Sequence, residues 1–131
     1  MNIINISEQL VPIIAEQLHR SQIQYHEYRS IPESSLKLYF YSEIRSRIRS
    51  EDSIALAALD GVGSVKGIVL CEKIHFDSSF LEYECYRISE LVVFSSKRES
   101  IVTVIQQLLE QMESRLIPMG APIHISFSLN N

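Results

Sequence analysis

Ile88-Ser89-Glu90-Leu91-Val92-Val93-Phe94-Ser95-Ser96-Lys97-Arg98-Glu99-Ser100-Ile101-Val102-Thr103-Val104-Ile105 joins a strand to a helix, and that junction decides the fold. The stretch from Ile88 to Phe94 is apolar and β-branched, as a buried strand is. Beyond the polar Ser95-Ser96-Lys97, apolar residues fall at Ile101, Ile105, Leu108, Met112 and Leu116, with Val104 and Leu109 beside them. That spacing predicts an amphipathic helix. Met119-Gly120-Ala121-Pro122 stops it, and Ile123, Ile125, Phe127 and Leu129 then alternate with His124, Ser126 and Ser128, the period of a strand with one buried face. Strand, helix, strand is a crossover, so the last strand is expected parallel to the one before the helix.

Upstream of the junction the pattern is antiparallel. Ile54 to Leu59 and Val65 to Ile74 are apolar runs separated by Asp60-Gly61-Val62-Gly63-Ser64, which predicts a β-hairpin. The stretch from His75 to about Phe80 has turn composition and leads into the third strand of a meander. Earlier, Pro32, Ser34 and Ser35 open a helix with Leu36, Phe40, Ile44 and Ile48 at four-residue spacing, ending near Glu51. The first helix spans Ser7 to about Gln22, with Leu10, Ile14 and Leu18 on its buried stripe and Val11 and Ile13 beside them. Pro12 has no amide hydrogen and must lie within or near the first turn, so the start can be later than Ser7. The expected architecture is α/β (α+β): two helices, a mixed sheet, a third helix and a parallel strand, as one domain over residues 1–131.

Composition bounds the function. At 131 residues, 46% hydrophobic and 21% charged, the chain can bury one core. It has no apolar run long enough to cross a bilayer and no secretory signal, so a soluble, cytoplasmic protein without membrane partners is expected. A formal charge of -4 without a basic tract argues against nucleic acid. Lys37, Arg45, Arg47 and Arg49 alternate with Glu43, Glu51 and Asp52 and read as the solvated side of a helix. Cys71 and Cys85 lack CxxC spacing and read as buried free thiols. Gly61-Val62-Gly63 precedes a strand, not a helix, and is a hairpin turn. With no GxxxxGK[ST], GxSxG or carboxylate cluster for a metal, triphosphatases, α/β-hydrolases and metal hydrolases are removed. His19, His26, His75 and His124 show no metal spacing and read as structural or solvated. Tyr25, Tyr28, Tyr39, Tyr41, Tyr83 and Tyr86 could protonate a leaving group but more often pack with the hydroxyl outward.

The element order, with Leu91-Val92-Val93 and then Arg98-Glu99-Ser100-Ile101-Val102-Thr103, resembles the GNAT superfamily of acyl-CoA-dependent N-acyltransferases. There the third core strand ends in an apolar run that meets the pantetheine arm, and Arg-x-x-Gly-x-Gly/Ala follows, its amides holding the cofactor pyrophosphate. The resemblance implies a site for acetyl-CoA or another acyl-CoA at Leu91, Val92, Val93, Arg98, Ser100 and Thr103, and a small amine or peptide acceptor. Ile101 and Thr103 replace the glycines, so a positive φ there is costly and branched side chains enter the pyrophosphate space. Ser96-x-x-Glu99 also reads as a capping box that would place a carboxylate among the donors. Weakened or lost cofactor binding is therefore expected. The family continues past the last strand found here, into a final helix and strands. Asn130-Asn131 resembles the start of the Asn-x-x-Ala segment that opens that portion, as a short version or a piece of a longer chain would show. An open sheet edge near Ile123 to Leu129 implies a homodimer or a partner chain.

Acyl transfer to an amine needs a base, and Glu90, just before the apolar run, is the candidate. It reads either as that base or as a strand carboxylate facing water or paired with Arg87. Two functions follow: an N-acyltransferase-like domain, or a non-catalytic module of the same fold that pairs through its surface or sheet edge.

Overall fold

The Asp60 carboxylate closes the hairpin at the centre of the sheet. Its Oδ1 accepts the amides of Val62 (3.0 Å) and Ser64 (2.9 Å), and the Asp60 amide donates to the Ser64 carbonyl at 3.0 Å. Gly63 completes the turn at φ +85°, a left-handed conformation that costs glycine nothing. Those two amides, first that of Ser64, outweigh the opposing effect of burial and hold the Asp60 carboxyl below its ordinary pKa.

The computed structural model describes residues 1–22, 30–74, 85–95, 97–116 and 124–127, excepting the side chains of 22, 85 and 124–127. In chain order its elements are β1 (Asn2–Asn5), a 3₁₀ turn (Glu8–Leu10), α1 (Val11–Gln22), α2 (Glu33–Arg49), β2 (Ser53–Leu59), β3 (Val65–Lys73), β4 (Cys85–Val93), α3 (Arg98–Leu116) and β5 (His124–Phe127). The sheet order is β1-β2-β3-β4-β5. Pairs from β1 to β4 are antiparallel, and β5 lies parallel to β4 with Cys85 opposite His124 and Ile88 opposite Phe127. The mixed α+β sheet, the hairpin, the meander and the parallel crossover are all as the hydrophobic pattern predicts.

Period-two alternation divides the sheet residues between two apolar layers. Leu56, Ala58, Val69 and Cys71 pack under Val104, Leu108, Met112 and Leu116 of α3. Ala55, Ala57, Ile68 and Leu70 face the other way, against the buried stripes of α1 and α2. Cys71 is fully buried and free, and burial pushes its thiol up to about 12, so it is an inert core residue. His19 also belongs to the interior, only 4% exposed, with no hydrogen-bond partner for Nε2.

Two expectations change. The first strand, Asn2–Asn5, was not legible. It has four residues, half of them exposed, and its order comes from pairing with Leu56 to Leu59 rather than from any periodicity of its own. The region from Ser7 is not helical at once: Glu8–Leu10 form a 3₁₀ turn and the α-helix starts at Val11. Pro12 is its second residue, where a missing amide hydrogen costs nothing. The loops after Gln22 and from His75, the helix stop at 119–122 and the terminal 130–131 lie outside the described residues.

Gly67 is where α3 comes down on the sheet. A Cβ there would stand 2.6 Å from Val104 Cγ1 and 3.1 Å from the Val92 carbonyl oxygen. Since Val104 is fully buried, neither atom has room to yield. Gly67→Ala is expected to lower stability by about 1–3 kcal/mol, the usual cost of overpacking. Urea unfolding checks this, and an unchanged midpoint would mean that α3 lifts freely.

Candidate functional site

A single extra residue in β4 aims the candidate base. Tyr86 and Ile88 lie in the core layer beneath α3. Leu70 is opposite Glu90 and Cys71 is opposite Ile88, so Ser89 is the bulged residue, its hydroxyl donating to the Leu70 carbonyl at 3.3 Å. A bulge reverses the alternation beyond it. Leu91 and Val93 accordingly join the α3 layer, whereas Val92 and Phe94 join the α1/α2 layer. Glu90 shares the parity of Val92 and faces α2.

On that face α2 brings a charged network. Arg47 binds Glu43 through Nη2 and Oε1 at 3.3 Å, and its Nη1 is bonded to Glu72 of β3. Glu72 also receives Arg87 from its register partner on β4. Burial acts to raise the Glu72 pKa, but the Arg87 hydrogen bond and the Arg47 charge together hold it below the ordinary value. Arg87 is thus bonded to Glu72, not to Glu90 as the bland sequence reading allowed. Glu90 as a residue is exposed, yet protein crowds its carboxyl. Lost hydration, then the Glu43 carboxylate, raise its pKa, and the Arg47 charge opposes them.

The other cations of α2 are also engaged. Lys37 reaches Glu16 and Glu33, and Arg45 and Arg49 both reach Glu8. The face that the sequence suggested was merely solvated ties α2 to the amino-terminal segment and to β3. The sequence reading put Glu43 and Arg47 on a solvated helix side and did not single out Glu72. The signal was present: residues 43 and 47 follow the buried Phe40 and Ile44 by three, which puts them on the flank of the buried stripe.

The candidate cofactor residues separate into three settings. Leu91 and Val93 are half-buried on the α3 side, and Val92 is on the opposite face. Arg98 is exposed at the start of α3 beside exposed Lys97 and Glu99, and Ser100 is half-buried behind them. The Ile101 amide donates to the Lys97 carbonyl at 3.0 Å, so the helical ladder begins there. The amides of Arg98, Glu99 and Ser100 precede it, in the part of a helix that lacks intrahelical acceptors. Ile101 and Thr103 are ordinary helical residues, so the expected cost of a positive φ does not arise at either. The Thr103 hydroxyl is turned back to the Glu99 carbonyl at 3.0 Å. Ser96, half of the expected capping box, lies outside the described residues, as do Tyr25, Tyr28, Tyr83, His26, His75 and the side chain of His124.

An open groove of about 310 Å³ between Asn5, Ile48, Ser53 and Arg115 contains none of these residues. Neither does one of about 400 Å³ against the β1 edge.

No protein-family model and no curated protein sequence matches the chain. Solved structures do. One described as a probable acetyltransferase has a TM-score of 0.72 at 16% identity, over 100% of this chain and 82% of that one. A transcriptional regulator from Bacillus halodurans C-125 has a TM-score of 0.72 at 13% identity, over 98% and 81%. An aminoglycoside antibiotic 6'-N-acetyltransferase from Acinetobacter baumannii has a TM-score of 0.62 at 16% identity, over 99% and 81%. The chain shares the mixed α+β fold of these structures.

Glu90 gives a pH-dependent stability whose sign is fixed. A carboxyl with a raised folded-state pKa contributes stability that is fully present below its unfolded value, ordinarily 4.5, and lost as pH rises through the folded value. Glu90→Gln should therefore melt with the wild type in acid and above it at neutral pH. Paired thermal melts across that range test this, and a variant that loses ground as pH rises would contradict it.

Proposed function

We propose that the chain is an acyl-CoA-dependent N-acyltransferase-like domain with weakened cofactor binding. The observation that carries this reading is the bulge at Ser89. It turns Glu90 to the α2 side of β4 while the same strand runs on into the helix headed by Arg98. Base and anion site are then consecutive features of one strand-helix junction.

The donor set fits a pyrophosphate-bearing cofactor in charge, though with little to spare. Lys97 and Arg98 are exposed cations beside the first-turn amides of α3, whose dipole favours an anion. Glu99 in the same turn subtracts from that field, and Ile101 and Thr103 fill space that glycines would leave. Arg98 and the amides up to Ser100 would hold the phosphates, with Leu91 and Val93 beside the pantetheine arm. Bound acyl-CoA would supply the acyl thioester. Glu90, with its raised proton affinity, would accept the proton released by the acceptor amine as nitrogen bonds to the acyl carbon, and breaking of the carbon–sulfur bond would then release CoA as a thiolate that takes up a proton. A small amine or a peptide amine is the acceptor class.

A second reading is a non-catalytic module of the same fold. It is favoured by Glu99, whose carboxylate opposes phosphate, and by β5, the outermost strand of the sheet order, which can pair with a second copy or another chain. Chain mass in solution, by light scattering, addresses this reading: a dimer supports it, and a monodisperse monomer counts against it.

Calorimetric titration with acetyl-CoA, and separately with CoA, tests the enzyme reading. Binding is expected in the micromolar range or weaker, and Arg98→Ala should reduce it about tenfold, the loss of one charge-assisted contact of about 1.5 kcal/mol. No heat at millimolar ligand would leave the pairing module as the function.

A further inference from the structure

We infer that Glu43 and Arg47 of α2 are positioning residues for Glu90, arranging the charge against which its carboxyl takes up and gives back a proton. The inference rests on reading Glu90 as the base.

Five ionisable side chains face one another among the described residues of this patch: Glu43 and Arg47 from α2, Glu72 from β3, and Arg87 and Glu90 from β4. Three carboxyls meet two guanidiniums, so full ionisation leaves one excess negative charge. Glu72 is bonded by both arginines and stays ionised. Glu43 is bound by Arg47 and is 42% exposed at its side chain. Glu90 has neither an arginine bonded to it among the described residues nor full hydration. Lost hydration first, and then the Glu43 carboxylate, raise its proton affinity above that of an ordinary carboxylate.

The geometry places α2 in control of that outcome. Leu70 and Glu72 lie two residues apart on the α2 face of β3, and their partners across the strand pair are Glu90 and Arg87. The bulge lets residues 87 and 90 occupy positions that two residues of one parity would otherwise hold. Glu90 therefore stands one step along the sheet from the carboxylate that Arg47 grips. Arg47 is the least exposed arginine in these ion pairs, at 21%, and is held at both ends by Glu43 and Glu72. A charge held by two carboxylates stays in place beside Glu90, as a mobile surface arginine would not. A base raised by lost hydration and by the Glu43 carboxylate, with the Arg47 charge limiting the rise, is better matched to an ammonium donor than an ordinary carboxylate is.

The test is a carbon-13 titration of side-chain carboxyls in the full chain, with Glu90→Gln identifying the resonance. In Glu43→Gln, which keeps the shape and removes the charge, the Glu90 midpoint should move to lower pH. In Arg47→Met it should move to higher pH. Thermal melts confirm that each variant is folded, and Glu43→Gln, at a half-exposed position, keeps the test open if Arg47→Met does not fold. A Glu90 midpoint unmoved by folded Glu43→Gln would overturn the inference. The base reading fails separately: Glu90→Gln supporting acyl transfer at the wild-type rate would remove the base while leaving both titration responses intact.

Discussion

The missing side chain at residue 67 sets the spacing between α3 and the sheet. With only a hydrogen on Gly67, Val104 and Leu108 can lie directly over β3, and the helix packs flat across the central strands. Because α3 is the crossover between β4 and β5, its seating also fixes where its first turn stands relative to the end of β4. A helix raised by even a methyl group would carry Arg98 and its neighbouring amides away from the strand that precedes them. The start of α3 is thus set by a packing contact in the middle of the sheet.

The other constraint is the bulge. Without Ser89 as an extra residue, the alternation established by Tyr86 and Ile88 would send Glu90 beneath α3, into the apolar layer with Leu108 and Met112. A carboxylate there would have no cation among its neighbours and a prohibitive desolvation cost. The bulge moves it to the face where α2 brings Arg47, and makes Leu91 and Val93 the residues that fill the α3 layer instead. One insertion solves a packing problem and an electrostatic problem together, and for that reason the strand cannot be read by simple period-two logic.

That explains what the sequence could and could not disclose. Helices with four-residue spacing, such as Leu36-Phe40-Ile44, and the hairpin around Asp60 to Ser64 follow from local chemistry, and the structure has them within a few residues of expectation. The parallel crossover follows from chain-connectivity rules. β1 was invisible because four half-exposed residues carry no period; β2 supplies its order. The Arg47 network was mistaken for a solvated helix side because Glu72 and Arg87, which complete it, arrive from strands that lie 25 and 40 residues away in the chain. Charge pairs within a helix are legible from spacing, whereas pairs between a helix and a sheet need the register, and the register here depends on a bulge that no composition signal marks.

The fold neighbours sharpen the distinction between architecture and use. A transcriptional regulator and an aminoglycoside acetyltransferase share this arrangement of elements with the chain at comparable, low identity, so the scaffold is compatible with more than one occupation. What would commit it to chemistry is the pairing of a tuned carboxyl with an anion-receptive helix start on consecutive elements. On the carboxyl side of that pair, Glu90 is aimed by a bulge to the face that carries the Glu43–Arg47–Glu72–Arg87 network. The helix side is thinner, because Glu99 offsets one of two cations and the ladder begins at Ile101, leaving three amides ahead of it. A carboxyl of raised proton affinity and a helix start with three leading amides thus stand on consecutive elements, and it is on that pairing that the proposal of acyl transfer with weak cofactor binding rests.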